Sequence, residues 1–426
     1  TSDRKMRRKQ NPEQPAEQRL LSVPVQRDTE KRTNQPGRHL SAGPEQPAEQ
    51  RLLSGPVQRD TERGNMKFAH ISDIRLGGTQ ESGRRWGKDR TEEVYDALAR
   101  ALASIGQRGA SLVLITGGLF AHCPVTVELD RVNRLFASFP AMKFIITAGG
   151  TDALRRSGPV LSFRWAENVH YVLSGKGEKI CLNGIPAVVY AASETEDDIS
   201  VEILRACAEN DAERKGAAIA AACEPSPEKA SALADSCFSY VALGGTAAKF
   251  PVVPEKVYYC GALEAGCMTD TGEHGYLFGE IQDATGTLLS VEFVPFSSVS
   301  YVPLRIRVSQ DMTPAELEQL TAEEIEKRGP ANIYRIHVIG EKKPGCQFGL
   351  AGLRQKYRIA EVADDSVPKY DFESLYAEHT QDMIGYYISQ LTRKSAEMSD
   401  IDRQALFLGI DALLRSAGPE VAEEEG

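Results

Sequence analysis

The chain has 426 residues, 41% hydrophobic and 26% charged, enough apolar material for the cores of two or three domains, which excludes a wholly disordered protein. Its 50 Lys and Arg against 60 Asp and Glu leave a formal charge of -10, unevenly placed: residues 1–65 hold 13 basic and 9 acidic side chains, and the rest hold 37 and 51. So acidic a body repels polyphosphate at long range, and DNA is expected only as a weak ligand or one reached through a partner.

In chain order, the first feature is a repeat. Residues 12–30 (PEQPAEQRLLSVPVQRDTE) recur at 44–62 with one substitution. The unit is rich in Pro, Gln, Glu and Arg, so ordering it costs more conformational entropy than its Leu20-Leu21 or Leu52-Leu53 pair returns. Residues 1–65 therefore read as a disordered extension, with a tandem docking motif as the alternative, and Met66 reads as a natural translation start.

Periodic signals begin at Met66. KFAHI (67–71), SLVLIT (111–116) and KFIIT (143–147) read as buried strands. Between them, helical spacing runs from Asp89 to Arg108 through Val94, Leu98, Ala101, Leu102 and Ile105, and from Thr126 to Phe139 with Val127, Val132, Leu135, Phe136 and Phe139 inward. This β-α-β-α-β order predicts parallel strands with the functional residues just past their C-termini. Those residues are Ser72-Asp73-Ile74-Arg75, Gly117-Gly118-Leu119-Phe120, Ala148-Gly149-Gly150-Thr151-Asp152 and, after YVAL (240–243), Gly244-Gly245-Thr246-Ala247. The eight cysteines show no CxxC and no dense spacing, which excludes a zinc ribbon and reads as reduced thiols. The longest apolar runs are strand-sized, so neither a membrane span nor a secretory signal is expected, and a cytoplasmic location is.

MKFAHISDIRLGG, LVLITGGLF, FIITAGGTD and YVALGG, in this order and spacing, resemble the motifs of the calcineurin-like metallophosphoesterases, and within them the SbcD-type DNA repair exonuclease subunit. YYCGALEAGCMTDTGEHGYLFGEI (258–281) is similar to a further segment of that subfamily. The resemblance implies an α/β fold, a metallophosphoesterase-like β-sandwich flanked by helices over 66–298, followed by a small α+β capping domain over 299–370 and a helical partner-binding segment over 371–426.

It also implies two divalent metal ions, typically manganese, generating a hydroxide that attacks a phosphodiester. Transferred position by position, the ligands are mostly missing. The Asp-x-His motif is Asp73-Ile74-Arg75. In the second motif Gly118 and Ala121 stand where Asp is expected. The third motif reads Gly149-Gly150-Thr151-Asp152, without its Asn and His. Ala222, Cys223 and Glu224 occupy the place of a further His, and Gly245 and Ala247 replace both imidazoles of the last motif.

Asp73 alone is too few ligands for two metals. The vestigial site is thus Asp73, Arg75, Gly118, Gly150, Thr151, Asp152, Gly245 and Ala247, with no metal expected; if one binds, Asp73, Asp152 and His122 are its candidates. His122 more simply reads as a loop histidine and His70 as a core one, Asp152 as a loop-capping carboxylate, and Arg75 as either a solvated cation or a guanidinium standing where metal charge belonged. The glycine pairs could form an anion-binding nest. These readings point to a pseudonuclease acting as a structural or regulatory subunit. The alternatives are an active phosphodiesterase or exonuclease with a rearranged site, and a nucleotide or DNA-end binding module.

Past Pro295, the spacing predicts a strand over Leu304–Val308, a helix from Thr313-Pro314 to Arg328 and a strand over 332–340. From Asp371 the pattern is helical. Ile384, Tyr387, Ile388 and Leu391 form one stripe, and Ile401, Ala405, Leu408 and Ala412 another, widened by Leu406, Ile410, Leu413 and Leu414. Either these helices pack on each other, or, as the resemblance implies, Ile384, Tyr387, Ile388, Leu391 and Leu408 grip an SbcC-like coiled-coil ATPase. A homodimer is also compatible, and the tail EVAEEEG reads as a solvated acidic end.

Overall fold

The computed structural model describes residues 64–78, 81–195, 201–212, 214, 216–224, 226–270, 272–392 and 399–416. The repeat and the acidic tail, and the readings made of them, lie outside the described residues.

The first sheet contains β1 (Asn65–Ile71), β2 (Leu112–Thr116), β3 (Lys143–Thr147) and β4 (Val169–Val172), all parallel, with α1 (Gly87–Gln107) and α2 (Thr126–Ala137) in the crossovers. The second contains β5 (Glu178–Cys181), β6 (Ala187–Ala192), β7 (Ala217–Cys223), β8 (Tyr240–Gly244), β9 (Phe250–Val253) and β10 (Val257–Tyr259), with α3 (Val201–Glu209) and α4 (Pro227–Ser231) between its strands. The antiparallel pair β11 (Gly275–Gln282) and β12 (Leu288–Pro295) then returns to the first sheet beside β1. The strand orders are β12-β11-β1-β2-β3-β4 and β5-β6-β7-β8-β10-β9.

The two sheets pack face to face. Met66, Phe68, Leu112 and Leu114 from one meet Val189, Ile219, Ala221 and Tyr240 from the other. The alternate residues Ala69, Ile71, Val113 and Ile115 turn outward under α1 and α2, and the far face of the second sheet is covered by Leu204, Ala208, Ala230 and Leu233. With both faces covered, the central strands read as near-continuous apolar runs rather than alternating ones. One inward assignment is corrected: Val127 is 74% exposed, because the buried stripe of α2 is Leu129, Val132 and Phe136 and Val127 lies two residues, roughly 200° of helical turn, from Leu129.

A third, parallel sheet follows: β13 (Tyr301–Val308), β14 (Ile333–Lys342) and β15 (Arg358–Asp364), with the short β16 (Val367–Pro368) also paired to β14. Helix α5 (Pro314–Arg328) starts as its sequence dictates, with Thr313 and Glu316 exchanging hydrogen bonds in a capping box and Pro314 in the first turn. It packs on this sheet with α6 (Ala351–Lys356).

The chain continues into α7 (Phe372–Glu378), α8 (Met383–Thr392) and α9 (Asp400–Ser416). Here the residues read as gripping a partner are packed to different degrees. Ile384 and Ile388 are 4% and 3% exposed, packed on Leu406 and Ile410, and Tyr387 and Leu391 are half-buried against the same cluster. Leu408 lies on the opposite side of α9 and is 73% exposed. Helix packing thus claims most of the stripe. Among the described residues, no helix is long and apolar enough to cross a membrane.

Candidate functional site

The loops after β1, β2, β3, β7 and β8 meet at one end of the paired sheets. Asp73 and Arg75 leave β1 with φ of 49° and 58°, a left-handed conformation rarely adopted by residues other than glycine. It is held by the loop after β2: the Asp73 N–H donates to Gly117 O at 3.1 Å and the Arg75 N–H to Gly118 O at 2.7 Å. Gly118, with φ of 61°, lies against Asp73, where an added Cβ would come within 3.0 Å of its Cα. Gly149 is a second close approach: a Cβ there would lie 2.1 Å from the Cβ of Cys223 at the end of β7. Gly117, Gly118, Gly149 and Cys223 therefore form a packed floor, whereas an added Cβ at Gly150 would meet nothing within 4 Å.

The glycine N–H groups do not form an open anion nest, because the chain's own carboxylates take them. Asp152 Oδ1 accepts from Gly118 N–H at 3.1 Å and Gly149 N–H at 3.0 Å, and Oδ2 accepts from Phe120 N–H at 3.1 Å. Glu194 accepts from Gly150 N–H at 2.5 Å, and Asp73 Oδ2 from Gly245 N–H at 3.0 Å. Burial pushes the Asp152 carboxyl up to about 6, against these three N–H donors and with the charge of Asp73 adding to the rise. Burial likewise raises Asp73, opposed by Gly245 N–H and by Arg75. Cys223 is raised far above the usual thiol range, by burial first and then by the surrounding carboxylates. A thiol so protonated is a weak nucleophile.

The Arg75 guanidinium stands 3.6 Å from Asp73 Oδ1 and 3.9 Å from Asp270 Oδ2, with about a third of its side chain exposed. It lines a cavity of about 340 Å³ together with Ile74, Ala121, Thr151, Arg90 and Glu264. Thr151 Oγ1 donates to Phe120 O at 2.6 Å, and Ala247 O accepts from Ala262 N–H. His122 is an exposed loop residue 3.1 Å from Glu128. His70 is wholly buried between the Tyr240 and Thr116 hydroxyls, at 2.9 and 2.8 Å, and burial lowers it to about 3.

The donors present do not suit a pair of divalent ions. Both oxygens of Asp152 face backbone N–H groups, those of Asp73 face Gly245 N–H and a guanidinium, and among the described residues no three His, Cys, Asp or Glu side chains are grouped as a metal ion requires. The sequence reading missed Glu194, Asp270, Arg90 and Glu264. For Arg90 a signal existed: it lies four residues before Val94, on the apolar stripe of α1, where a charge needs a buried partner.

No protein-family model matches the chain, and no curated protein matches it.

Proposed function

We propose that the chain is a catalytically degenerate SbcD-like metallophosphoesterase, a pseudonuclease that works in the cytoplasm as a structural or regulatory subunit beside an SbcC-like coiled-coil ATPase. One observation carries the reading. Asp73, the carboxylate that keeps its motif position, is engaged by Gly245 N–H and faced by the Arg75 guanidinium at 3.6 Å, so fixed positive charge stands beside it. The order of the strand-end loops and the paired sheets they cap support the scaffold part of the proposal.

With Ile384 and Ile388 buried, the surface offered to a partner is the outer side of the C-terminal helices, where Met383, Tyr386, Ile401 and Leu408 are exposed. The test is elemental analysis after manganese loading, combined with a phosphodiesterase assay. The expected result is no stoichiometric metal and no hydrolysis. Two metal ions per chain with manganese-dependent cleavage would replace this proposal by the active-nuclease alternative. For the partner, Leu408→Glu is expected to abolish co-purification with the coiled-coil ATPase while helix content is retained.

A further inference from the structure

The segment joining β10 to β11 touches three parts of the molecule. Ser72 Oγ and Arg90 donate to its carbonyls at Gly261 and Ala265, Arg75 faces its Asp270, and Asp270 Oδ2 accepts from Gly266 N–H at 2.9 Å. At its centre is Glu264, 4% exposed. Its carboxylate accepts from Arg90 Nη2 at 2.9 Å, Ser297 Oγ at 3.1 Å, Ser298 N–H at 2.7 Å and Ser298 Oγ at 2.8 Å. Arg90 is itself 1% exposed, so both charges of this pair are removed from water and each depends on the other.

Ser297 and Ser298 belong to the linker between Pro295, the end of β12, and Tyr301, the start of β13. This linker is the covalent connection from the two-sheet body to the third sheet. The apolar seam at the junction is small: Trp86, Ala265, Val299, Tyr301 and Ile333 are its buried members. A seam of that size leaves relative motion as the default for two packed regions. The polar contacts crossing it are correspondingly dense. Arg358 of β15 binds Glu93 of α1 through Nη1 at 3.0 Å and Nη2 at 2.5 Å, and Glu93 also faces Arg90 at 3.4 Å. Tyr301 Oη reaches both Glu81 and Gly266 O at 3.3 Å. Arg90, Glu264, Ala265 and Gly266 are at the same time one wall of the 340 Å³ cavity beside Arg75.

We propose that Glu264 is a latch that clamps the third sheet to the two-sheet body, and that releasing it frees the linker as a hinge and opens the cavity beside Arg75. The proposal goes beyond the functional reading above and holds whichever partner the chain has. Glu264→Gln keeps the shape but offers one acceptor oxygen to four donors and leaves the Arg90 charge with Glu93, at 3.4 Å, in place of its buried counter-ion.

The experiment is hydrogen exchange on the full chain, read peptide by peptide, with the alkylation rate of Cys267, a half-buried thiol three residues from the latch, as a second readout. In Glu264→Gln, exchange over 262–270 and 297–301 and alkylation of Cys267 should rise at least about tenfold, while β1, β2 and β3 exchange as in the unaltered chain. Unchanged exchange in the linker would overturn the proposal. If Glu264→Gln does not fold, the double variant Ser297→Ala, Ser298→Ala decides, since it keeps the Arg90 pair and removes only the two hydroxyl donors from the linker. A local rise there supports the latch, and none, or a rise spread evenly over the strands, refutes it.

Discussion

Asp152 and Glu264 are both almost wholly buried, and they are held in opposite ways. Asp152 receives three backbone N–H groups, and no Lys or Arg contributes to its shift. Glu264 receives a guanidinium, two hydroxyls and one N–H. Backbone dipoles are fixed by the loops that carry them and fall short of offsetting the desolvation of a carboxylate, so Asp152 titrates near 6. A buried guanidinium supplies a full charge, but it makes each partner hostage to the other. The strand-end centre is therefore sensitive to pH, whereas the latch is sensitive to the loss of a single side chain.

Arg90→Ala is expected to have the largest effect. It strands Glu264 without a counter-ion, and a loss of about 3–5 kcal/mol in denaturant unfolding is expected. A loss under about 1 kcal/mol would remove the contrast between the two regions. Next comes the pH response of Asp152. Its folded value near 6 lies above the ordinary 3.8, so the folded state holds the proton more tightly, and this contribution is full below about 3.8 and lost as pH rises through 6. The size is about 3 kcal/mol. His70 runs the other way: its folded value near 3 gives a contribution present above about 6.5 and lost as pH falls toward 3. Comparing unfolding of the unaltered chain and Asp152→Asn between pH 4 and 7 cancels His70 and isolates Asp152. Equal slopes in the two chains would refute the assignment.

A smaller effect is expected in the C-terminal helices, where Ile384→Ala should lower stability by about 2 kcal/mol and Leu408→Ala by less than about 0.5 kcal/mol. Reversed magnitudes would mean that α8 and α9 meet through other faces. The smallest belongs to Arg75→Ala. A partly exposed pair at 3.6 Å is worth less than about 1 kcal/mol, so the melting temperature should hardly move. A drop of many degrees would show Arg75 to be as structural as Arg90.

Much of this architecture was legible from residues alone. LVLIT and KFIIT carry unbroken apolar cores, Leu112–Ile115 and Phe144–Ile146, as a strand covered on both faces requires, and the helices between them dictated parallel order. Thr313, Pro314 and Glu316 announced α5 locally.

Tertiary structure decided which face of a helix meets a neighbour and what each charge meets. Val127 and Val132 share the same apolar character, as do Ile384 and Leu408, and only the position of the adjoining sheet or helix selects the buried one of each pair. Arg90 and Glu264 are 174 residues apart in the chain, and Asp152 finds donors at Gly118 and Phe120 on another loop. Local sequence encodes dihedral preference and hydrophobic period. The electrostatic fate of a carboxylate depends on donors that the fold brings from elsewhere, so it became defined only when the sheets and loops were in place.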